Sequence, residues 1–346
     1  MNVEPSAARP GPGPAPALWR ALGLALAAGV LLLLCLLSVW VGTRDIPFGS
    51  TWRVLWHPDA SDAATVIHDY RIPRTLLALL VGTALGLAGA LMQALTRNPL
   101  ADPGLLGVSL GAATGVVVAI GFLGVGSVLG YVWFALIGAA VATVAVYLLG
   151  SGGRGVATPE RLVVAGAALT AVLFAFDSAV LLLDPEVFDE FRFWTVGSLA
   201  GRRYDVLQAV LPFVLTGALI AVALARALNA LGLGDQVGRG LGVAVGRTRA
   251  LGGLAVLLLC GAATAAAGPI AFLGLAVPHV ARFLVGPDQR WVLAYSAVLA
   301  PVLLLAADVT GRVVGAPGEI QVGIVTAVLG GPLFLALCRR RKLVLL

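Results

Sequence analysis

The chain has 346 residues, of which 60% are hydrophobic and 12% charged, with a formal net charge of +6. Soluble domains average about 25% charged residues, so this composition excludes a water-soluble fold and predicts a protein whose solvent is largely lipid. Lysine occurs once, as Lys342 followed by Leu343, which excludes a phosphate-binding G-x-x-x-x-G-K-[ST] loop; any ATP-driven work requires a second subunit.

In chain order, residues 1–16 are rich in Pro, Gly and Ala without an apolar period and are expected to form a disordered cytoplasmic tail. Apolar runs follow at 18–41, 76–95, 105–122, 128–149, 162–183, 206–225, 251–267, 270–285, 291–307 and 320–337. About 20 apolar residues cross a hydrocarbon core of roughly 30 Å, so these runs predict an all-α, polytopic protein of about ten transmembrane helices in one domain, 17–346. The pair 251–267 and 270–285 is short and divided by Gly268-Pro269 alone. The first run has no small-x-small cleavage site and is read as a retained helix rather than a signal peptide.

With the N-terminus inside, both termini fall inside, where fifteen basic residues face five acids; eight arginines and twelve acids take the other side. Cytoplasmic loops gather Lys and Arg, so this is the expected orientation, and the basic charge reports topology rather than nucleic-acid binding. Cys35, Cys260 and Cys338 lie far apart in apolar runs, and His57, His68 and His279 stand alone. No disulfide, metal or cofactor is expected, and an enzymatic reading has no nucleophile–base pair to rest on. Asp177 lies within the fifth run, where a charge costs about 2.5–3.5 kcal/mol; it is expected either to be satisfied by a neighbouring helix or to line a wet cavity. Gly82, Gly86 and Ala90, and Gly107, Gly111 and Gly115, have the spacing of closely packed membrane helices. Gly82, Gly89 and Pro99 recur as Gly261, Gly268 and Pro278 at an offset of 179, which coincidence explains as well as a repeat in a chain with 44 glycines.

Three polar stretches sit at the ends of runs. The first is Arg71-Ile72-Pro73-Arg74, with Gly89-Ala90-Leu91-Met92-Gln93-Ala94-Leu95-Thr96-Arg97-Asn98-Pro99-Leu100-Ala101-Asp102-Pro103 at the other end of the same run. The second is Leu231-Gly232-Leu233-Gly234-Asp235-Gln236-Val237-Gly238-Arg239-Gly240-Leu241-Gly242-Val243. The third begins at Gly268-Pro269-Ile270-Ala271-Phe272-Leu273-Gly274, continues through Pro278-His279 and Arg282 to Asp308 and Arg312, and ends in Val322-Gly323 and Gly330-Gly331-Pro332. Together they resemble the iron-siderophore and vitamin B12 (cobalamin) permease family of ABC transporters, in order from about Arg71 to the end of the chain. In place of the Leu-Pro or Val-Pro that many members carry, this chain has Ile320-Gln321.

The resemblance implies a vitamin B12 permease-like, type II importer fold in the bacterial cytoplasmic membrane. It further implies two permease copies, as a homodimer or with a paralogue, around a shared path. Two ABC ATPase subunits would lie beneath and one extracytoplasmic binding protein above. The cargo implied is a ferric siderophore, with cobalamin and haem as alternatives. Arg71, Arg74 and Arg312 match arginines that receive acidic residues of the binding protein, a task suited to the planar guanidinium fork; headgroup snorkelling or local ion pairing is the plainer alternative. Leu233, Gly234, Asp235, Arg239 and Leu241, within coupling helices at about 228–246, would fit a cleft of the ATPase. Asp235 and Arg239 have the spacing of an internal i,i+4 pair. Asn98 and Leu100, with Thr158 and Pro159, match a cytoplasmic gate, though turn formation and capping explain these four residues nearly as well. The loop 184–205, with Phe188, Phe191, Phe193 and Trp194, matches a short gating helix. The rival outside this class is an ion-coupled carrier using Asp177 and Asp308 as relay groups.

Overall fold

The computed structural model describes residues 17–57, 59–151 and 159–339; the expected tail at 1–16 lies outside them. In order, the helices are α1 (Ala17–Trp40), α2 (Phe48–Trp56), α3 (Asp62–Thr65), α4 (Ile72–Thr96), α5 (Val108–Leu123), α6 (Val128–Ser151) and α7 (Pro159–Leu183). They continue as α8 (Pro185–Thr195), α9 (Tyr204–Gly232), α10 (Asp235–Gly240), α11 (Val245–Ala267), α12 (Leu273–Val285), α13 (Gln289–Val314) and α14 (Val322–Arg339), with no strand among the described residues. Each of the ten apolar runs is one helix. Seven are long and apolar enough to cross a membrane, and α5, α12 and α14 supply the shorter apolar segments.

α4 is the axis of the bundle: 78% of its apolar window is buried, against 11% for α1 and for α7 at the periphery. It packs on α9, α11, α12 and α13. Small residues make this possible, since water does not drive helices together in lipid and backbones must approach closely to gain dispersion. A Cβ on Gly89 would meet the backbone of Gly274 on α12, while Gly82 and Gly86 on the same face lie against Pro301 and Ala300 of α13. Gly111 of α5 and Gly138 of α6 stand in each other's way in the same manner. Gly82 and Gly86 of α4 and Gly111 and Gly115 of α5 therefore lie on helix-packing faces, whereas Gly107 precedes α5 as its left-handed N-cap (φ 73°). At the offset of 179 the local structure differs, since Gly89 lies inside α4 whereas Gly268 ends α11 with φ 75°.

Two helix boundaries differ from the apolar runs. α3 leads through a π-helical stretch, Val66–Arg71, directly into α4, so one continuous helix spans Asp62–Thr96 and Arg71 and Arg74 project from it. α14 begins at Val322, directly after Gln321. The first N–H groups of a helix have no intrahelical partner, so losing a proline there leaves the helix start intact.

Candidate functional site

The polar chemistry gathers at the two ends of the bundle. At one end, α1 stops at Trp40, leaving its last carbonyls without intrahelical donors. Two arginines from other helices supply them. Arg71 donates through Nη1 to the carbonyls of Val39 (3.1 Å) and Trp40 (2.5 Å) and through Nη2 to that of Arg44 (2.6 Å). Arg312 of α13 donates through Nη1 to Ser38 O (2.8 Å) and Val41 O (2.7 Å) and through Nη2 to Ser38 Oγ (2.7 Å). Cations at a helix C-terminus also complement its dipole. Asp308, one turn before Arg312, bridges Arg312 (2.9 Å) and Arg74 (2.9 Å), and a further Arg74 nitrogen reaches Glu319 (2.7 Å). These five groups carry one positive charge in excess. A cavity of about 240 Å³ opens beside them, lined by Arg71, Arg74, Arg312, Glu319, Arg44 and Tyr70.

Arg71 and Arg312 are 5% and 3% exposed, with their guanidinium groups turned onto the carbonyls at the end of α1. Arg74 is the member of the trio that faces the rim, through its pair with the part-exposed Glu319. Sequence reasoning missed Glu319 as a partner, since nothing in the chain ties it to an arginine 245 positions earlier.

At the opposite end, α4 closes on Arg97 in the left-handed conformation (φ 51°). Asn98 Oδ1 accepts from Leu100 N (2.9 Å), Asn98 O from Ala101 N (3.1 Å), and Asp102 Oδ1 from Gly104 N (2.8 Å). Short side chains thus tie the turn to its own backbone, with Leu100 45% exposed at its tip. Burial pushes the Asp102 carboxyl above its usual range, against the opposing pull of the Gly104 N–H. Thr158 lies outside the described residues, and Pro159 opens α7, so of the four gate residues Asn98 and Leu100 are the two this turn brings together.

Facing the turn is α10. Gly234, at φ 106°, reverses the chain after α9, and Asp235 opens the helix. Its carboxylate pairs with Arg97 at 3.4 Å and with Arg249 of α11 at 3.0 Å. The i,i+4 pair expected between Asp235 and Arg239 gives way to these two. α10 has six residues with Asp235 in its first turn, and the half-buried guanidinium of Arg249 lies against the carboxylate, whereas Arg239 stands exposed in solvent. Val237 of α10 and the flanking Leu233 and Leu241 are 48%, 65% and 62% exposed, so this segment presents apolar side chains to solvent.

Between the ends, Asp177 is 4% exposed; its Oδ2 accepts from Thr114 Oγ1 of α5 at 3.1 Å, while its Oδ1 is buried without a hydrogen-bond partner. The loop expected to hold a gating helix contains α8. Asp184 caps it by accepting from the N–H groups of Glu186 and Val187, and Phe188 and Phe193 remain exposed.

Ten apolar helices, an arginine-lined cavity at one end and a short helix flanked by exposed apolar side chains at the other are the architecture of a multi-pass membrane protein with polar chemistry at both ends, and its relatives make it a permease subunit of an ABC transporter. The chain belongs to the FecCD transport family, which matches residues 30–340. It is 47% identical over 316 residues to the ferric enterobactin transport system permease protein FepD of Escherichia coli K12, covering 90% of this chain and 94% of that one. It is 40% identical over 323 residues to the iron(3+)-hydroxamate import system permease protein FhuB of Bacillus subtilis 168 (92% and 84% covered). Identity to the hemin transport system permease protein HmuU of Yersinia pestis is 37% over 319 residues (90% and 94% covered). Among solved structures it is similar to a metal-chelate type ABC transporter in an inward-facing conformation, with a TM-score of 0.82, 27% identity, and 92% of this chain and 99% of that one covered. The fold is therefore that of a metal-chelate permease, and the family resemblance drawn from the three polar stretches holds.

Proposed function

We propose that this chain imports ferric siderophores across the bacterial cytoplasmic membrane, as one of two permease copies above two ATPase subunits and beneath one extracytoplasmic binding protein, with both termini in the cytoplasm. The observation that carries this is the 47% identity, along nearly the whole chain, to a permease for ferric enterobactin. The excess of basic residues assigned to one side supports the orientation. The exposed Leu233, Val237 and Leu241 support seating of α10 in an ATPase groove, because exposed apolar side chains at the water-facing end of a membrane protein call for a partner. Asn98 and Leu100, on the turn joined to α10 through Arg97 and Asp235, are proposed to close the cytoplasmic end of the path with Thr158 and Pro159. Docking of the binding protein is proposed at the Arg71, Arg74 and Arg312 cavity, where an incoming carboxylate exchanges with Glu319 on Arg74.

Haem is the second reading, favoured by 37% identity to a hemin permease. The carrier alternative is disfavoured because Asp308 is held by two arginines. Uptake of radiolabelled ferric enterobactin, ferric hydroxamate and hemin into proteoliposomes holding the permease and its ATPase tests the proposal. Accumulation of a ferric siderophore that requires internal ATP and the binding protein is expected. Accumulation that follows a proton gradient without the ATPase refutes it.

A further inference from the structure

At the Arg74 end, but on the outer flank of the bundle, α2 lies across the junction of α1 and α4. Its residues Phe48, Trp52 and Trp56 recur every fourth position, so they form one face. They are 58%, 50% and 64% exposed, whereas Thr51 and Val54 on the opposite face are buried. Trp40, at the end of α1, extends the row: successive ring centroids from Trp40 through Phe48 and Trp52 to Trp56 are 5.5, 6.3 and 5.9 Å apart. Beneath it runs an apolar groove of about 320 Å³, bounded by Cys35 and Leu36 of α1, Trp52 and Leu55 of α2, and Leu76 and Leu79 of α4.

We infer that this groove holds one acyl chain of a membrane phospholipid and that α2 is an interfacial helix lying over it. Three observations fix the occupant. First, the hydroxyls in the lining are already engaged: Thr51 Oγ1 donates to Pro47 O, and Thr75 Oγ1 pairs with Ser38 Oγ and donates to Arg71 O. A ligand thus finds a lining that is almost entirely hydrocarbon, with the hydroxyls occupied and the indoles of Trp40 and Trp52 and the Cys35 thiol as its other polar groups. Second, the groove is continuous with the outward face of α1, whose Leu22, Leu26, Leu32, Leu33 and Leu36 are exposed on a helix that crosses the membrane. It therefore opens into lipid. Third, from Ile72 down to Leu79 it runs along eight residues of α4, about 10 Å at 1.5 Å rise from one residue to the next, which is the depth to which interfacial helices bury their apolar faces. Tryptophans cluster at this level because their rings suit the boundary between headgroups and acyl chains.

The test uses the full-length protein in two arms. In native mass spectrometry after extraction in mild detergent, the wild type retains one phospholipid. Cys35→Phe, which fills the groove, loses it, whereas Leu26→Phe, a change of similar kind on the open face of α1, keeps it. Equal retention in all three overturns the inference, as does a concentration-dependent dimer abolished by Cys35→Phe, which makes a second copy the occupant. In the other arm, proteoliposomes are made from phosphatidylcholine brominated mid-chain, and the tryptophan fluorescence of the wild type is compared with that of Trp52→Phe. Trp52 emission, obtained by difference, is quenched by the brominated lipid; unquenched Trp52 emission places α2 in water and overturns the inference even if Cys35→Phe fails to fold.

Discussion

Replacing Asp235 with asparagine removes the charge through which α10 holds both the turn after α4 and the start of α11. The Asp235 side chain is 26% exposed, Arg97 41% and Arg249 20%, so the two pairs differ in worth. The pair with Arg97 is solvent-screened and contributes about 0.2–1 kcal/mol. The pair with Arg249 is half-buried and hydrogen-bonded at 3.1 Å, and bonds to charged groups contribute about 1.5–3 kcal/mol. An asparagine keeps one weak acceptor, which leaves a loss of about 2 kcal/mol, or about 30-fold in the population of the joined state. If movement of α10 reaches Asn98 and Leu100 through this joint, Asp235→Asn lowers uptake by about that factor while ATP hydrolysis by the assembled transporter continues. Both rates are measured in the same proteoliposomes, and the number of ATP molecules consumed per substrate delivered rises. Asp235→Glu restores the ratio. An unchanged ratio, whether both rates hold or fall together, refutes transmission through Asp235.

Arg312→Met leaves Asp308 with one fewer partner and strips the Ser38 and Val41 carbonyls of their donor; breaking a buried pair costs about 3–5 kcal/mol, so thermal unfolding in detergent shifts sharply downward, and an unchanged midpoint contradicts the capping role. Gly89→Val forces a side chain against the Gly274 backbone and destabilises by about 1–3 kcal/mol or more in the same assay, while Gly29→Ala, with nothing within 4 Å, leaves the midpoint unchanged. Glu319→Gln frees Arg74 from a competing carboxylate and tightens binding of the extracytoplasmic protein by up to about 5-fold, and Arg74→Glu abolishes it, both read by surface plasmon resonance on the reconstituted permease. Asp177→Asn keeps uptake within about 3-fold of wild type, because an amide oxygen still accepts from the Thr114 hydroxyl; loss of uptake together with sensitivity to the proton gradient restores the carrier reading.

The ten spans were legible because lipid leaves a chain little choice: each crossing must be one contiguous apolar run with its backbone bonded to itself, so the pattern is local. The packing faces of α4 and α5 were legible for a similar reason, since glycines at helical spacing have few other uses in lipid. The short helices α8 and α10 were visible as polar, punctuated stretches, and the family resemblance followed from motifs that are contiguous in the chain. The partners of charges were not legible. Asp235 and Arg239 looked like a pair by local spacing, yet the carboxylate chose Arg97 and Arg249, which other helices bring to it. Arg71 and Arg312 looked alike as surface cations, but the end of α1 draws both inward, a demand that exists only once α1 is packed beside α4 and α13. Sequence by itself therefore determined what crosses the membrane, how often, and to which family the chain belongs. Tertiary structure alone decided which charges meet, because electrostatic partnership depends on distances between helix ends, and those distances are set by packing rather than by position in the chain.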